Sequence, residues 1–369
     1  MNNDPRNSYS NGIDIVRFIG FFCVFIHHFV YQGGNSIYSQ SGAFWQNQFI
    51  DAISYFGAEG VTIFFCLSGF LLSKLLLKEH LDTGRISVKS FYKRRILRIW
   101  PLYFGYIVFC LALTPVFGGQ SIQLGELPSL FTFTYNWQQL FSDQSRGMAA
   151  ILWSISVEEQ IYFLLPLLLV LFIKRSINLL GCLLVFFGIA SRLILYFSDQ
   201  GLYRNTLSYM STIGIGMLFA IHETKLKKLI NTSNFKFRFI LLGLVLAYIL
   251  SFKSNFSSGP LTILAFDLTA LMTVVLLLLF DEKEKHSLSG LRRFLGFLGR
   301  RTYGMYIFHW PVLALLISRD LFYSDSLGVS FLGLLFALIL VVSISALSYR
   351  YLEKPFLERR RKYQYVKVG

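Results

Sequence analysis

Residues 12–29 read GIDIVRFIGFFCVFIHHF, a nearly continuous apolar run that also carries Asp14, Arg17, His27 and His28. A helix of this length rises about 27 Å, close to the roughly 30 Å thickness of a membrane's hydrocarbon core. The stretch therefore predicts a transmembrane helix. The polar residues before it lack the basic start and the cleavage site of a signal peptide, so we expect this helix to be retained.

The remaining sequence repeats this pattern. The chain has 369 residues, of which 54% are hydrophobic and 15% charged, and its mean hydropathy is +0.54. A water-soluble domain could not keep this balance in solution. The predicted spans are residues 14–31, 53–77, 100–117, 152–173, 177–197, 206–222, 238–252, 261–280, 302–318 and 328–350. We predict an all-α, polytopic bundle of about ten transmembrane helices.

The net charge of +15 indicates membrane orientation rather than nucleic-acid binding. The basic residues lie between the apolar runs and form neither one face nor one tail. Lys and Arg in short loops stay on the cytoplasmic side of a membrane. With the N-terminus inside, the inner loops hold well over twenty basic residues, and the outer loops hold about four: Arg146, Arg204, Lys253 and Arg319. Both termini are therefore predicted to be cytoplasmic.

We predict one membrane domain over residues 1–369, with a polar N-terminal tail at 1–13 and a basic cytoplasmic tail at 356–369. The longest outer segment, about residues 118–151, is too short to bury a core alone. A short re-entrant piece is expected around residues 127–140. The four cysteines, Cys23, Cys66, Cys110 and Cys182, all lie in apolar runs, so we expect no disulfide and no metal site.

Ionisable side chains inside a span are costly and mark candidate functional residues. Asp14 and Arg17 lie three residues apart on the first span, and His28 lies eleven beyond Arg17, so all three share one helix face. Arg17 and His28 are then about 16 Å apart along the axis. The alternative is a packed histidine and a surface ion pair.

Two further polar groups stand out. Residues 91–101 read FYKRRILRIWP, in which Arg95 and Arg98 lie one helical turn apart and suit a phosphate group, although cytoplasmic anchoring explains part of this charge. Glu158 and Glu159 are predicted to begin the fourth span at its outer end, where stabilisation by the helix dipole is the competing interpretation.

Taken together, six segments resemble the acyltransferase 3 family of membrane O-acyltransferases, in order and across nearly the whole chain. They are residues 12–29, GVTIFFCLSGFLLSKLL at 60–76, FYKRRILRIWPLY at 91–103, WSISVEEQIYFLLPLL at 153–168, LGRRTYGMYIFHWPV at 298–312 and YRYLEKPF at 349–356. The family has a pattern in which ten residues separate an Arg or Lys from a His, and this pattern falls on Arg17 and His28 here. Its Arg-X-X-Arg pattern falls on Arg95 and Arg98.

The resemblance implies a multi-pass enzyme of the bacterial inner membrane. It implies transfer of an acyl group, commonly acetyl from acetyl-CoA, to a hydroxyl of a surface polysaccharide or lipid-linked saccharide, without a metal. The expected partners are acyl-CoA, that glycan and the lipid bilayer, and no nucleic acid.

On this hypothesis neutral His28 is the general base, since an imidazole pKa of about 6.5 suits proton transfer at neutral pH. Asp14 and Arg17 complete the catalytic group on the first span, and Glu158 orients His28 or binds acceptor hydroxyls. The acyl-CoA phosphates bind Arg95 and Arg98, assisted by Arg94 and Arg17. We expect hydrogen bonds to the developing oxyanion, and further contacts with acyl-CoA, to come from some of the residues Ser68, Trp153, Tyr306 and His309. The alternative for each of these residues is simple packing.

Two other classes remain open at this point. A transporter or flippase of lipid-linked saccharides would also be polytopic with intramembrane ionisable residues, but it would not need paired arginines for a phosphate. A glycan polymerase would usually present a larger, basic outer loop, whereas the predicted one here carries only Arg146.

Overall fold

The structure is a computed structural model, and it describes residues 11–32, 52–114, 122–142, 147–232, 235–255, 259–280, 290–318 and 327–363. Within these ranges the chain is helical and forms no β-strand. The helices are α1 (Asn11–Gln32), α2 (Gly60–Thr83), α3 (Val88–Ala112), α4 (Leu127–Phe131), α5 (Tyr135–Phe141), α6 (Leu152–Phe172), α7 (Ile177–Phe197), α8 (Met210–Thr232), α9 (Phe235–Asn255), α10 (Thr262–Phe280), α11 (Gly290–Gly299), α12 (Thr302–Ser318), α13 (Leu327–Ser348) and α14 (Lys354–Arg360).

Seven helical segments in the described ranges are long and apolar enough to cross a membrane: Asn11–Val30, Ala52–Thr83, Val88–Ala112, Leu152–Phe172, Ile177–Phe197, Thr262–Phe280 and Val329–Arg360. Many of their apolar side chains are exposed, as is usual for surface that lipid covers. The protein is therefore a multi-pass membrane protein, and the predicted all-helical class is confirmed. A shorter apolar helix runs from Thr302 to Ile317.

Each of the ten predicted spans overlaps a helix, but three of these helices, α8, α9 and α12, are not among the seven segments found within the described residues. The start of α3 also differs from the prediction. This helix begins at Val88, where the Ser87 hydroxyl accepts a hydrogen bond from the Ser90 amide at 3.4 Å. The basic cluster of residues 93–98 lies within this helix, as the helical spacing of Arg95 and Arg98 predicted, although the predicted span began only at residue 100.

The chain divides into two compact units. Unit 1 comprises Met1–Leu67 and His222–Ser345, and unit 2 comprises Ser68–Ile221 and Ala346–Gly369. Each boundary falls inside a helix, namely α2, α8 and α13. The prediction of a single domain remains a prediction.

Unit 1 is built around α1, which packs against α10, α11 and α12. Glycine permits its close approach to the start of α2. A Cβ placed on Gly60 would lie 2.3 Å from the carbonyl oxygen of Gly20, and one on Gly57 would lie 2.5 Å from the carbonyl oxygen of Cys23. Small residues at such crossings bring helix backbones together and increase van der Waals contact, which is the main attraction between helices in lipid.

Unit 2 is organised by α3 and α6, which run antiparallel. Tyr92 donates to the carbonyl of Phe163 at 2.8 Å near one end, and Trp100 donates to Glu159 at 3.0 Å further along. The expected re-entrant piece forms the short helices α4 and α5, and α5 packs on α6. These contacts place residues 127–141 alongside the middle of α6.

The C-terminal segment of unit 2 is also helical. The helix α14 and residues 361–363 pack against α3, where Arg94 donates to the carbonyl of Tyr363 at 2.8 Å. The Lys93 ammonium lies 4.7 Å from the centre of the Tyr363 ring. The part of the predicted basic tail that the structure describes is therefore attached to unit 2.

We expect Gly60→Ala to destabilise the protein, because the added methyl group must displace the backbone of α1. Overpacking of this kind costs about 1–3 kcal/mol, which should appear as a lower midpoint of thermal unfolding in detergent. Gly243→Ala is the matched control, since a Cβ on Gly243 meets nothing within 4 Å. Equal unfolding midpoints for the two variants would contradict the close helix crossing.

Candidate functional site

A pair of histidines joins α1 to α12 in unit 1. The Nδ1 atom of His28 lies 2.8 Å from the Nε2 atom of His309. The two rings are stacked, with centroids 5.1 Å apart and planes 13° from parallel. His309 is fully buried. The sequence had placed His309 among the possible oxyanion donors, whereas the structure makes it the direct partner of His28.

The hydrogen bonds around this pair determine which nitrogen atoms carry protons. The Nδ1 atom of His309 is hydrogen bonded to the carbonyl oxygen of Tyr306. A carbonyl oxygen only accepts, so Nδ1 of His309 carries the proton, and in the neutral ring Nε2 is an acceptor. His28 must then donate from Nδ1. The lone pair of neutral His28 is consequently on Nε2, the nitrogen that faces away from His309.

Two further ring contacts define the position of His28. Its ring meets the Trp310 ring edge to face, with centroids 4.8 Å apart. The neighbouring His27 turns elsewhere and donates from Nδ1 to the carbonyl of Ser54 at 2.7 Å. His27 and His28 therefore occupy different faces of α1, as their spacing predicted.

At the other end of α1, Asp14 contacts two arginines. Arg17 donates to Oδ1 at 2.9 Å, as the spacing predicted, and Arg300 donates to Oδ2 at 3.3 Å. The sequence analysis did not identify Arg300, because four arginines lie between residues 292 and 301 and nothing in the pattern selects one. Arg300 and His309 belong to one stretch of chain, so Asp14 and His28 face the same neighbour along α1.

In unit 2, Glu158 accepts hydrogen bonds from two hydroxyl groups. The Ser68 hydroxyl lies 2.8 Å from Oε1, and the Tyr162 hydroxyl bonds to the same oxygen. Glu158 is the seventh residue of α6, which begins at Leu152, so it lies about 9 Å inside the helix instead of at its end. Its predicted action on His28 or on acceptor hydroxyls remains a prediction.

Arg95 lies at the same level of unit 2 as these carboxylates. Its guanidinium is 5.2 Å from the centre of the Tyr162 ring. The sequence analysis had placed Arg95 at the inner rim and Glu158 at the outer end of a span. In the structure both side chains approach Tyr162, so Arg95 and Glu158 lie at one level, because α3 packs against α6 in a register that the sequence did not predict. Arg98 is half-buried on the same helix.

The adjacent Glu159 accepts a hydrogen bond from the Trp100 indole through Oε2. Its other oxygen, Oε1, is buried and makes no hydrogen bond within the described ranges. Neither Trp100 nor Tyr162 was identified from the sequence. Both lie on apolar stretches, where an aromatic residue is most simply interpreted as packing.

The remaining predicted site residues have well-defined neighbours. Arg94 is buried, forms an ion pair with Glu79 at 2.9 Å and donates to the carbonyl of Tyr363 in the C-terminal segment. Trp153 packs against the rings of Tyr203 and Tyr209. The Tyr306 ring contacts Phe64, with centroids 6.3 Å apart.

Gln160 secures the segment that contains α4 and α5. Its amide nitrogen donates to the carbonyl of Phe133 at 2.7 Å and to Asn136 at 2.8 Å, and its amide oxygen accepts from Thr206 at 2.6 Å. A side-chain amide that is hydrogen bonded on both sides in an apolar setting is well suited to a fixed structural role.

Among the described residues, no group of three or more His, Cys, Asp or Glu side chains is placed to hold a metal ion. Cys23, Cys66, Cys110 and Cys182 are all free thiols. The histidine pair, with its defined proton positions, is the arrangement in unit 1 best suited to accept a proton from a bound hydroxyl.

The chain belongs to the acyltransferase 3 family, because the model of that family, described as an acyltransferase domain, matches residues 10–350. The resemblance predicted from the sequence is confirmed, and the protein is also similar to curated proteins of Staphylococcus aureus. It is 24% identical over 330 residues to the "Putative O-acetyltransferase SACOL0978" of Staphylococcus aureus (strain COL), covering 81% of this chain and 52% of that protein.

It is likewise 22% identical over 345 residues to the O-acetyltransferase OatA of Staphylococcus aureus (strain NCTC 8325 / PS 47), covering 82% of this chain and 53% of OatA. The chain thus spans about half the length of these curated relatives. No solved structure matches it.

We expect Arg95→Ala combined with Arg98→Ala to raise the KM for acyl-CoA about tenfold or more, since each guanidinium can make charge-assisted bonds to a phosphate. Steady-state kinetics of the purified protein measure this effect. If kcat falls and KM stays constant, Arg95 instead serves to neutralise the nearby carboxylates.

Proposed function

We propose that this protein is a membrane O-acyltransferase that moves an acyl group, acetyl in the simplest case, from acyl-CoA to a hydroxyl of a surface polysaccharide or other glycan. The class of enzyme follows from the family to which the chain belongs. The names of the relatives support O-acetyl transfer. The acyl-CoA donor and the glycan acceptor are part of the proposal.

One observation carries the proposal, namely the hydrogen-bond chain from the Tyr306 carbonyl through His309 to His28. Each link fixes the proton of the next ring, and the chain ends on a basic nitrogen, Nε2 of His28. Catalytic histidines commonly require a second group that sets the tautomer and holds the ring. Here a second imidazole, which is itself bound to a backbone carbonyl, takes that position.

In the reaction, Nε2 of His28 accepts the proton of the acceptor hydroxyl as the hydroxyl oxygen attacks the thioester carbonyl. The carbon–sulfur bond then breaks. The CoA sulfur leaves with the electron pair and takes the proton back from His28. Proton acceptance by His28 places positive charge on the ring, and His309 stabilises it by accepting the Nδ1 hydrogen bond. No covalent acyl-enzyme is needed.

We propose further that the chain crosses the membrane ten times with both termini in the cytoplasm. The excess of Lys and Arg in the predicted inner loops supports this orientation. Ten crossings require α8, α9 and α12 to span in addition to the seven apolar segments.

Reporter fusions test this topology at α9. A reporter that is active only outside the membrane should be inactive when fused after Lys228 and active when fused after Gly259. The same activity at both positions would contradict a crossing by α9.

We expect His28→Ala to abolish acyl transfer while the protein still inserts in the membrane, because the base is lost. His309→Leu should lower kcat strongly, since Nδ1 of His28 loses its acceptor and either tautomer becomes available. His309→Gln should restore part of the rate, because a side-chain amide can accept from His28 and donate to the Tyr306 carbonyl.

The measurement is the kcat of each purified variant over a range of pH, with membrane insertion checked separately. The His309 variants should also change the pH dependence, because protonated His28 cannot act as a base and its protonation is coupled to His309. His27→Ala is the control on the same helix. Full activity of His28→Ala would overturn the general-base proposal.

A further inference from the structure

Asp14 holds two guanidinium groups at once, one on each carboxylate oxygen. The exposed fraction of the side chain is 6% for Asp14, 16% for Arg17 and 52% for Arg300. A nearly buried carboxylate is thus flanked by two arginines, one of which extends to the surface. Two guanidinium groups therefore face one carboxylate in the Arg17–Asp14–Arg300 cluster.

The backbone is closely packed around this cluster. A Cβ placed on Gly299 would lie 1.8 Å from the carbonyl oxygen of Asp14. Only glycine permits this contact, which places the turn after α11 against α1 and brings Arg300 beside Asp14. The position of Arg300 is therefore set by main-chain packing, whereas a chance surface pair depends on mobile side chains.

The arrangement suits a phosphate group. A guanidinium offers five N–H donors in a planar fork that matches phosphate oxygens. Arg300 uses Nη1 for Asp14, and its half-exposed side chain leaves other donors available at the surface. A carboxylate behind a guanidinium fixes the direction of the fork before a ligand arrives, which lowers the entropy cost of binding.

We propose that the Arg17–Asp14–Arg300 cluster binds a phosphate group of acyl-CoA, with Arg300 as a phosphate contact and Asp14 as the residue that positions it. This inference rests on the proposed function. It assigns Arg300 a role that neither the sequence pattern nor the family match provides.

The spacing along α1 supports this assignment. Arg17 and His28 are eleven residues apart on one continuous helix, which separates them by about 16 Å. Acyl-CoA carries its phosphates and its thioester at opposite ends of the pantetheine arm, whose extended length is comparable. A phosphate held at the cluster is therefore at a distance from His28 that the arm can span. Both ends of this part of α1 are held in place, since Asp14 contacts Arg300 and His28 contacts His309.

A purely structural role for the cluster makes a different prediction. If Arg300 only ties the turn after α11 to α1, its loss weakens binding of every ligand in proportion to the damage to unit 1. If Arg300 contacts phosphate, only ligands that carry phosphate are affected. Binding of CoA and its fragments separates the two cases without requiring knowledge of the acceptor.

The experiment measures the Kd of the purified full-length protein for CoA, for 3′-dephospho-CoA and for pantetheine. We expect Arg300→Ala to weaken CoA binding about tenfold and to leave pantetheine binding unchanged. Arg301→Ala is the matched control, since Arg301 donates to the carbonyl of Phe297 and lies over the Phe297 ring. It should bind CoA like the unmodified protein.

Dephospho-CoA identifies the phosphate. If Arg300→Ala no longer weakens binding once the 3′-phosphate is absent, the cluster holds that group; if the effect persists, it holds the diphosphate. Arg300→Lys retains the positive charge and the ion pair with Asp14 but loses the planar set of guanidinium N–H donors. This variant should therefore fold normally and bind CoA with intermediate affinity.

Two results would overturn the inference alone: unchanged CoA binding by Arg300→Ala and Arg300→Lys, or an equal loss of CoA and pantetheine binding in Arg300→Lys. If the unmodified protein binds no CoA at all, the proposed donor itself is wrong. The two failures are therefore distinguishable.

Discussion

The proposed proton transfer to His28 depends on the hydrogen bond between His28 and His309 in unit 1. This bond joins two helices that are 281 residues apart in sequence, and it fixes the tautomers of both rings through the Tyr306 carbonyl. In lipid-covered protein, an imidazole without a partner is costly, so the pair also stabilises the packing of α1 on α12. The same bond therefore serves the fold and leaves one nitrogen available as a base.

The second constraint is that polar groups inside an apolar bundle must satisfy one another. In unit 2, Glu158 accepts hydrogen bonds from Ser68 and Tyr162, and Glu159 accepts one from Trp100. The side-chain amide of Gln160 is hydrogen bonded as well. Glu159 is one of several exceptions, because its buried Oε1 makes no hydrogen bond within the described ranges. Two adjacent carboxylates at the middle of a helix are expensive in this setting, which is consistent with a role beyond packing.

Much of the architecture could be predicted from the sequence, because hydropathy and helix periodicity are local properties. The face shared by Asp14, Arg17 and His28 followed from spacing alone. Partners across the fold could not be predicted, since no local pattern distinguishes Arg300 from its neighbouring arginines or His309 from a packed histidine. The level of Glu158 relative to Arg95 was wrong because it depends on the register in which α3 packs against α6, set by contacts such as that of Trp100 with Glu159, and hydropathy does not determine that register.

The Asp14 contacts also bear on how the protein is made. Arg300 is separated from Asp14 by 286 residues, so the first helix leaves the ribosome and enters the membrane long before that arginine exists. Arg17, three residues away, neutralises the carboxylate in the meantime. A local ion pair thus accompanies insertion of the first helix, and the distant arginine completes the cluster 286 residues later.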